Sequence, residues 1–222
     1  MSAELGALLL ADARLPTGAH AHSAGLEPGL RAGMRADDLP DYIEARLRTV
    51  GWVEAAAAVL ARRTAGTDPA GLARVQDALL ARMPVAPQRA ASGLLGRGLA
   101  RLATSLWPKH PAVLALESVA APVLRPVALG VVATALEMED AQVARASLYD
   151  DAQTVAAAAL KLLPVDPADA TRWVLRAARP IEEIVGRAVE VTGLDCMPAV
   201  TAPLVEQYAL EHDARSRRIF VA

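Results

Sequence analysis

AQVARASLYDDAQTVAAAALKLL, residues 141–163, reads as one uninterrupted helix. Val143, Ser147, Leu148, Val155, Ala158 and Leu162 recur along one side at helical spacing. Asp140 stands where a capping residue belongs. Ala156 to Ala159 leave a thin waist against which a second helix can pack closely. Pro164 ends the run, and Asp166-Pro167 opens another helix with a carboxylate cap and proline at its first position. A helix of this length, followed at once by a second, sets the class as all-α.

Helical register continues to the C-terminal side over 168–178 and 180–192, with Gly193 at a C-cap position. A loop over 194–201 carries Cys196. A last helix runs from about Pro203 to His212, with Leu204, Val205 and Tyr208 inward. On the N-terminal side, Ala112 to Leu136 is apolar enough to raise the question of a membrane span. Glu117 and Arg125 fall inside it, at a cost of roughly 2.5–3.5 kcal/mol for a central charge. Pro122 and Pro126 interrupt it, so two buried helices are expected. Before it, Ala91, Leu94, Leu95, Gly98, Leu99, Leu102 and Leu106 form a stripe. Gly93, Gly96 and Gly98 in the same helix fit close approach of another helix. As a phosphate loop they fail: the order is G-x-x-G-x-G, no strand precedes it and no Lys-Ser/Thr follows.

Asp37-Asp38-Leu39-Pro40 starts a helix whose inner side is Leu39, Ile43, Leu47 and Val50, and Gly51-Trp52 breaks it. A second runs through Val53 and Leu60 to Gly66. Thr67-Asp68-Pro69 starts a third, with Leu72, Val75, Leu79 and Met83 inward. No convincing strand and no fixed repeat occurs. The expectation is one compact domain over 1–222, a bundle of roughly ten helices.

The chain has 222 residues, 23 basic against 25 acidic, a net charge of −2, and is 54% hydrophobic. Near-neutral charge and 3% aromatic residues argue against a nucleic-acid partner. The single cysteine and the acidic start MSAELGALLLADA point to a cytoplasmic, reducing location without a secretory signal. An alanine-rich, strongly apolar chain can bury a large core and still offer apolar surface to a partner.

At the N-terminus, LLLADARLPTGAHAHSAGLEPGLRAG (8–33) reads as a buried apolar helix, with Leu5, Leu8 and Leu9 on one side. It breaks at Leu15-Pro16-Thr17-Gly18, since proline fixes φ and removes a donor. Ser23 is placed to cap the next turn at Gly25-Leu26-Glu27. This stretch resembles the signature of the UreF family, an apolar helix followed by L-P-x-G-G-F-x-H/Y-S-x-G-L-E. Leu15, Pro16, Gly18, His22, Ser23, Gly25, Leu26 and Glu27 match, whereas Ala19 and His20 replace a glycine and a phenylalanine. The family also has a glycine and a leucine pair in the helix that carries 93–98 here, which extends the resemblance. Arg125-Pro126-Val127-Ala128-Leu129-Gly130 is similar to the family's H-P-V-x-x-G, with Arg125 for His. Ala158 to Pro164 resembles A-A-x-R-L-I-P. His212, Asp213, Arg218, Ile219 and Phe220 resemble the closing H-E-x-x-x-x-R-L-F.

The resemblance implies an all-helical homodimer that binds UreD/UreH and recruits the GTPase UreG, so that nickel reaches apo-urease. It would act as a scaffold and not as an enzyme, with nickel handled by the complex and no cofactor bound tightly. Carried over from the matches, the partner contacts are Leu15, Pro16, Gly18, His22, Ser23, Gly25, Glu27, His212, Arg218 and Phe220. An alternative from another class is a regulator of UreG that inserts an arginine into the nucleotide site. A third is a helical metal carrier.

Each candidate also has a plainer reading. His20 and His22 either touch nickel or are hydrogen-bonding loop residues, and no H-x₃-H or C-x₂-C spacing supports a closed site. Cys196 is either a third weak ligand or a small buried apolar residue. Glu182-Glu183 point about 100° apart on a helix and suit a solvated face better than an acid–base pair. In the tail, 213–222, Arg215, Arg217 and Arg218 complement a helix dipole. Ile219 and Phe220 look like the exposed anchor of a segment that orders on a partner.

Overall fold

The computed structural model of the chain describes residues 2–12, 15–68, 70–216 and 218–221. In order, the helices are α1 (Ala3–Leu10), α2 (Leu26–Arg31), α3 (Leu39–Arg46), α4 (Trp52–Thr67), α5 (Gly71–Leu80) and α6 (Ala86–Leu106). They continue with α7 (Pro111–Leu114), α8 (Arg125–Ala135), α9 (Asp140–Leu162), α10 (Pro167–Arg176), α11 (Ala178–Val189) and α12 (Pro203–Asp213). Among the described residues there is no strand, and the fold is all-α as its sequence indicates.

Helix α8 lies at the centre. Arg125 to Ala133 are all buried, and α8 packs against α4 on one side and α6 on another. The contact with α4 is made by backbones. A Cβ on Gly130 would stand 2.6 Å from the Ala58 carbonyl oxygen, the Ala61 Cβ and the Arg62 nitrogen. Four alanines in a row, Ala55 to Ala58, are fully buried on the α4 side of this crossing. Small residues are used here because two helices can approach so closely only where side chains are short. Helix α9 lies against α4 and carries α10 and α11, while α12 packs on α2 and α6. The expected inner stripes are buried at Leu72, Val75, Leu79 and Met83 of α5, and at Val143, Ser147, Leu148, Val155 and Ala158 of α9.

Helix starts follow their local chemistry. Asp166 Oδ1 accepts from the Ala168 N–H at 2.7 Å, with Pro167 in the first turn of α10. Pro40 likewise sits in the first turn of α3. The α9 start differs from expectation. The Glu139 N–H donates to Gln142 Oε1 at 2.7 Å, and Asp140 is turned to Arg62 and Arg63.

Several other expectations are corrected. Gly51-Trp52 does not break the chain, because a π-helical turn over Leu47–Gly51 joins α3 to α4. Helix α6 buries only part of its leucine stripe: Leu99 is inside, Leu94 and Leu106 are exposed, and the buried face is Ser92, Gly93, Gly96, Leu99 and Ala103. The neighbour that glycine admits there is a connecting segment, since a Cβ on Gly96 would fall 2.0 Å from the Val123 carbonyl oxygen. Helix α1 lies on the surface with Leu5 54% and Leu8 68% exposed. Leu204 and Cys196 are exposed as well. Gly193 is not a C-cap: α11 closes at Glu190, three residues earlier in sequence. Pro69, proposed as part of a helix start, lies outside the described residues.

Candidate functional site: the Pro-Gly corner and the C-terminal strap

Residues 15–27 form a compact corner with its hydrogen bonds made locally. The Leu15 N–H donates to Asp12 O, the Thr17 N–H to Leu15 O at 2.7 Å and the Ala21 N–H to Gly18 O at 3.0 Å. Gly18 is left-handed, φ 86°, a conformation that costs L residues roughly 1–2 kcal/mol. Helix α6 supports the turn from below. A Cβ on Gly98 would collide with Thr17, 2.4 Å from its carbonyl oxygen, so glycine there serves the corner.

Ser23 is fully buried, and its Oγ accepts from the Glu27 N–H at 3.4 Å across the first turn of α2. Ala24, φ 52°, is strained. The Tyr42 hydroxyl holds it by donating to the Ala24 carbonyl at 2.8 Å. Burial pushes that hydroxyl up to about 12, so it remains a donor over the physiological range.

Beneath the corner lies a floor of buried charge that sequence reasoning had not assembled. Arg125, the first residue of α8, donates to Glu54 Oε2 at 2.8 Å and Asp150 Oδ2 at 2.7 Å. It also reaches the Ser147 carbonyl, while its N–H donates to Ser92 Oγ. Arg46 pairs with Asp151. Burial alone would discharge Arg125, but Asp150 and Glu54 hold it charged. Glu54 is pushed above the usual carboxylate range by burial, against the pull of Arg125. His22, 8% exposed, lies over this floor. Its pKa is lowered by burial and then by Arg125, which keeps the ring neutral at pH 7.

The tail runs back onto the corner as a strap. Both oxygens of Glu27 accept from the Ile219 N–H, at 3.0 and 3.1 Å, and Oε2 also accepts from the Phe220 N–H at 2.9 Å. The Val221 N–H donates to the Ala21 carbonyl at 2.8 Å. His212 Nε2 meets the Phe220 carbonyl at 3.1 Å. Lys161 Nζ donates to the His20 carbonyl and lies 5.2 Å from the centre of the Phe220 ring. Burial would raise the Glu27 carboxyl, but the two strap amides and Arg31 outweigh it and hold it below the usual range.

Phe220 is therefore a buried residue of this chain, 3% exposed, and not a free anchor. His22, Ser23, Glu27 and His212, four more of the proposed contact residues, are buried too. Leu15, Gly18 and Gly25 are half-buried; Pro16, His20 and Arg218 face outward. Arg217 lies outside the described residues. Two cavities border the floor, one of about 270 Å³ beside Arg46, Glu54 and Val205, the other of about 280 Å³ under Leu15 and Phe220. His22, Arg125 and Asp150 line both.

Sequence reasoning brought His22, Glu27 and Phe220 onto one list but missed Glu54, Asp150, Asp151 and Lys161. A usable signal was the Asp150-Asp151 pair inside a helix with a long apolar side, since buried charge requires a partner. Among the described residues no group of three or more His, Cys, Asp or Glu is placed to hold a metal ion. None of the helices is long and apolar enough to cross a membrane, again among the described residues. Glu182 and Glu183 lie on the surface in ion pairs with Arg145, Arg48 and Arg179.

The family model described as UreF matches residues 34–178. A protein of a Mycobacterium species (strain JLS) named urease accessory protein UreF is 36% identical, with 97% of each chain covered. One of the same name from Mycolicibacterium vanbaalenii is 32% identical over the whole of both chains. A third, from Mycobacterium tuberculosis, is 34% identical with 97% of each covered.

Proposed function

The chain belongs to the UreF family of urease accessory proteins, and from that premise we propose that it is a non-catalytic scaffold. As a homodimer in the cytoplasm it binds UreD/UreH and recruits the GTPase UreG, and the assembly passes nickel to apo-urease. The chain holds no cofactor of its own; nickel is cargo of the complex. The observation that carries the reading is the corner itself. Pro16 and His20 are presented outward on a turn closed by backbone hydrogen bonds of its own, over a base that is a buried charge network. A recognition loop on a rigid support loses little entropy when a partner seats on it.

Arg125 is not available as an inserted arginine, because two carboxylates hold it inside the chain. The test is reconstitution. Tagged chain should retain UreD/UreH and, through it, UreG. Gly18→Val, which strains the corner, should abolish that capture while the helical circular dichroism stays unchanged. A rise in UreG hydrolysis that one surface Arg→Ala change removes would replace the scaffold with the regulator. Tight nickel binding by the isolated chain in equilibrium dialysis would replace it with the carrier.

A further inference from the structure

Five buried side-chain polar atoms have no hydrogen-bond partner among the described residues, and three of them belong to side chains around one cavity. They are Arg46 Nε, Asp151 Oδ2 and His212 Nδ1, brought from α3, α9 and α12 to the cavity of about 270 Å³. All three side chains are at least nine-tenths buried. Buried polar groups are nearly always paired, so three orphans around one space call for a common partner. Their chemistry is mixed. Arg46 Nε–H is a donor and Asp151 Oδ2 an acceptor. With His212 Nε2 donating to the Phe220 carbonyl at 3.1 Å, Nδ1 of the neutral ring is an acceptor too. One group meets all three needs: an amide, with a carbonyl that accepts and N–H groups that donate.

Charge narrows the choice. Arg46 and Arg125 already face Asp151, Asp150 and Glu54 in ion pairs, so a further net charge would enter without a counter-ion and keep its desolvation cost. The rest of the lining is apolar, with Met83, Leu95, Val205 and Ala209 on the same cavity. Leu94 also lines it and is 41% exposed, so the space reaches the surface beside α6. An apolar cavity of about 150 Å³ holds benzene, so this one has room for on the order of ten non-hydrogen atoms.

We infer that this cavity is a binding site for a small neutral molecule with an amide-type head and a short apolar tail. The head meets Arg46, Asp151 and His212, and the tail lies among Leu95, Val205 and Ala209. The inference is independent of the scaffold reading, since no other protein takes part in it. An occupant ties α12 to α3 and α9, and by mass action it raises the thermal midpoint of the chain.

The experiment titrates the full chain at pH 7.5 with three probes of equal length: hexanamide, hexanoate and hexylamine. Calorimetry should give hexanamide a Kd on the order of 1 mM, as a ligand of this size allows. The two charged probes should bind at least about tenfold more weakly. Ala209→Phe fills the apolar end and should abolish hexanamide binding while the helical circular dichroism is unchanged. Asp151→Asn replaces the free acceptor and leaves Arg46 without its carboxylate. It should weaken hexanamide about tenfold and make hexanoate the tighter probe, a reversal that a merely structural role for Asp151 would not produce. If Asp151→Asn does not fold, the three-probe comparison and Ala209→Phe decide. No binding of hexanamide, equal binding of all three probes, or undiminished binding by Ala209→Phe overturns the site. Tightest binding of hexylamine overturns the amide in favour of an ammonium ligand. None of these results bears on capture of UreD/UreH, which tests the scaffold separately.

Discussion

Helices α1 and α8 are both apolar, and α1 is residue for residue the more hydrophobic, yet α8 is the buried centre and α1 lies outside. The difference is one of shape. Helix α8 offers Gly130 and alanines to the alanine row of α4, so two backbones come together over their length. Helix α1 has one such point, Gly6, the only residue of α1 that is buried, where a Cβ would be 3.2 Å from the Leu136 Cβ. Leu10 packs against the core, while Leu5 and Leu8 face outward. Burial in this chain follows the chance of close approach more than hydrophobicity alone.

The sharpest way to break that contrast is Gly130→Val, which forces α4 and α8 apart. Urea unfolding should report a loss of about 3 kcal/mol or more, toward the upper end for overpacking. A loss below about 1 kcal/mol would mean the crossing yields easily, and α8 would not differ in kind from α1.

Next comes the charged end of α8. Arg125→Met leaves Glu54 and Asp150 without their cation and should cost about 3 kcal/mol at neutral pH, as buried pairs do when one partner is lost. The deficit should shrink at pH 5, because Glu54 is already raised and takes up a proton more readily. Adding Glu54→Leu should recover much of the loss, as apolar replacement of both partners is often neutral.

A smaller effect belongs to His22. Its folded pKa is below the ordinary 6.5, so its contribution is full above that value and is lost as pH falls through the window beneath it. Thermal midpoints of His22→Gln and the unaltered chain should differ least favourably to the variant at pH 7.5 and converge on acidification. A constant gap between pH 7.5 and 5 would show that the ring does not titrate with unfolding.

Smallest of all, Leu8→Ser on α1 should move stability by no more than about 0.5 kcal/mol, as exposed substitutions do. A larger loss would show that α1 is covered in the molecule's working form.

Much of the fold was legible where the cause is local. The Asp166-Pro167 start, the first-turn proline of α3 and the stripes of α5 and α9 depend on neighbours one helical turn away. What was hidden depends on partners distant in sequence. The leucine stripe of α6 has good helical spacing, but the segment before Arg125 and the turn at Thr17 both require glycine, so the buried face is shifted around the helix from that stripe and shares Leu99 with it. Phe220 looked like a free anchor because nothing near it in sequence names Glu27 as its amides' acceptor. The corner was visible as a motif, whereas its charged floor is gathered from α3, α4, α8 and α9 and leaves no contiguous trace.

The π-helical turn at Leu47–Gly51 has a consequence for chain length. A wide turn holds one residue more than the ordinary helical ladder needs. Because the wide turn absorbs that residue, the helix on either side keeps the register of an unbroken one, with Leu39 and Ile43 on the core and Arg46 against Asp151. Removing a single residue there would leave a regular α-helix through α3 and α4 with both faces still in place. In an ordinary helix the same deletion would turn the two halves by about 100° relative to each other. This joint is therefore the one place in the long helix where chain length can change by one residue at little cost.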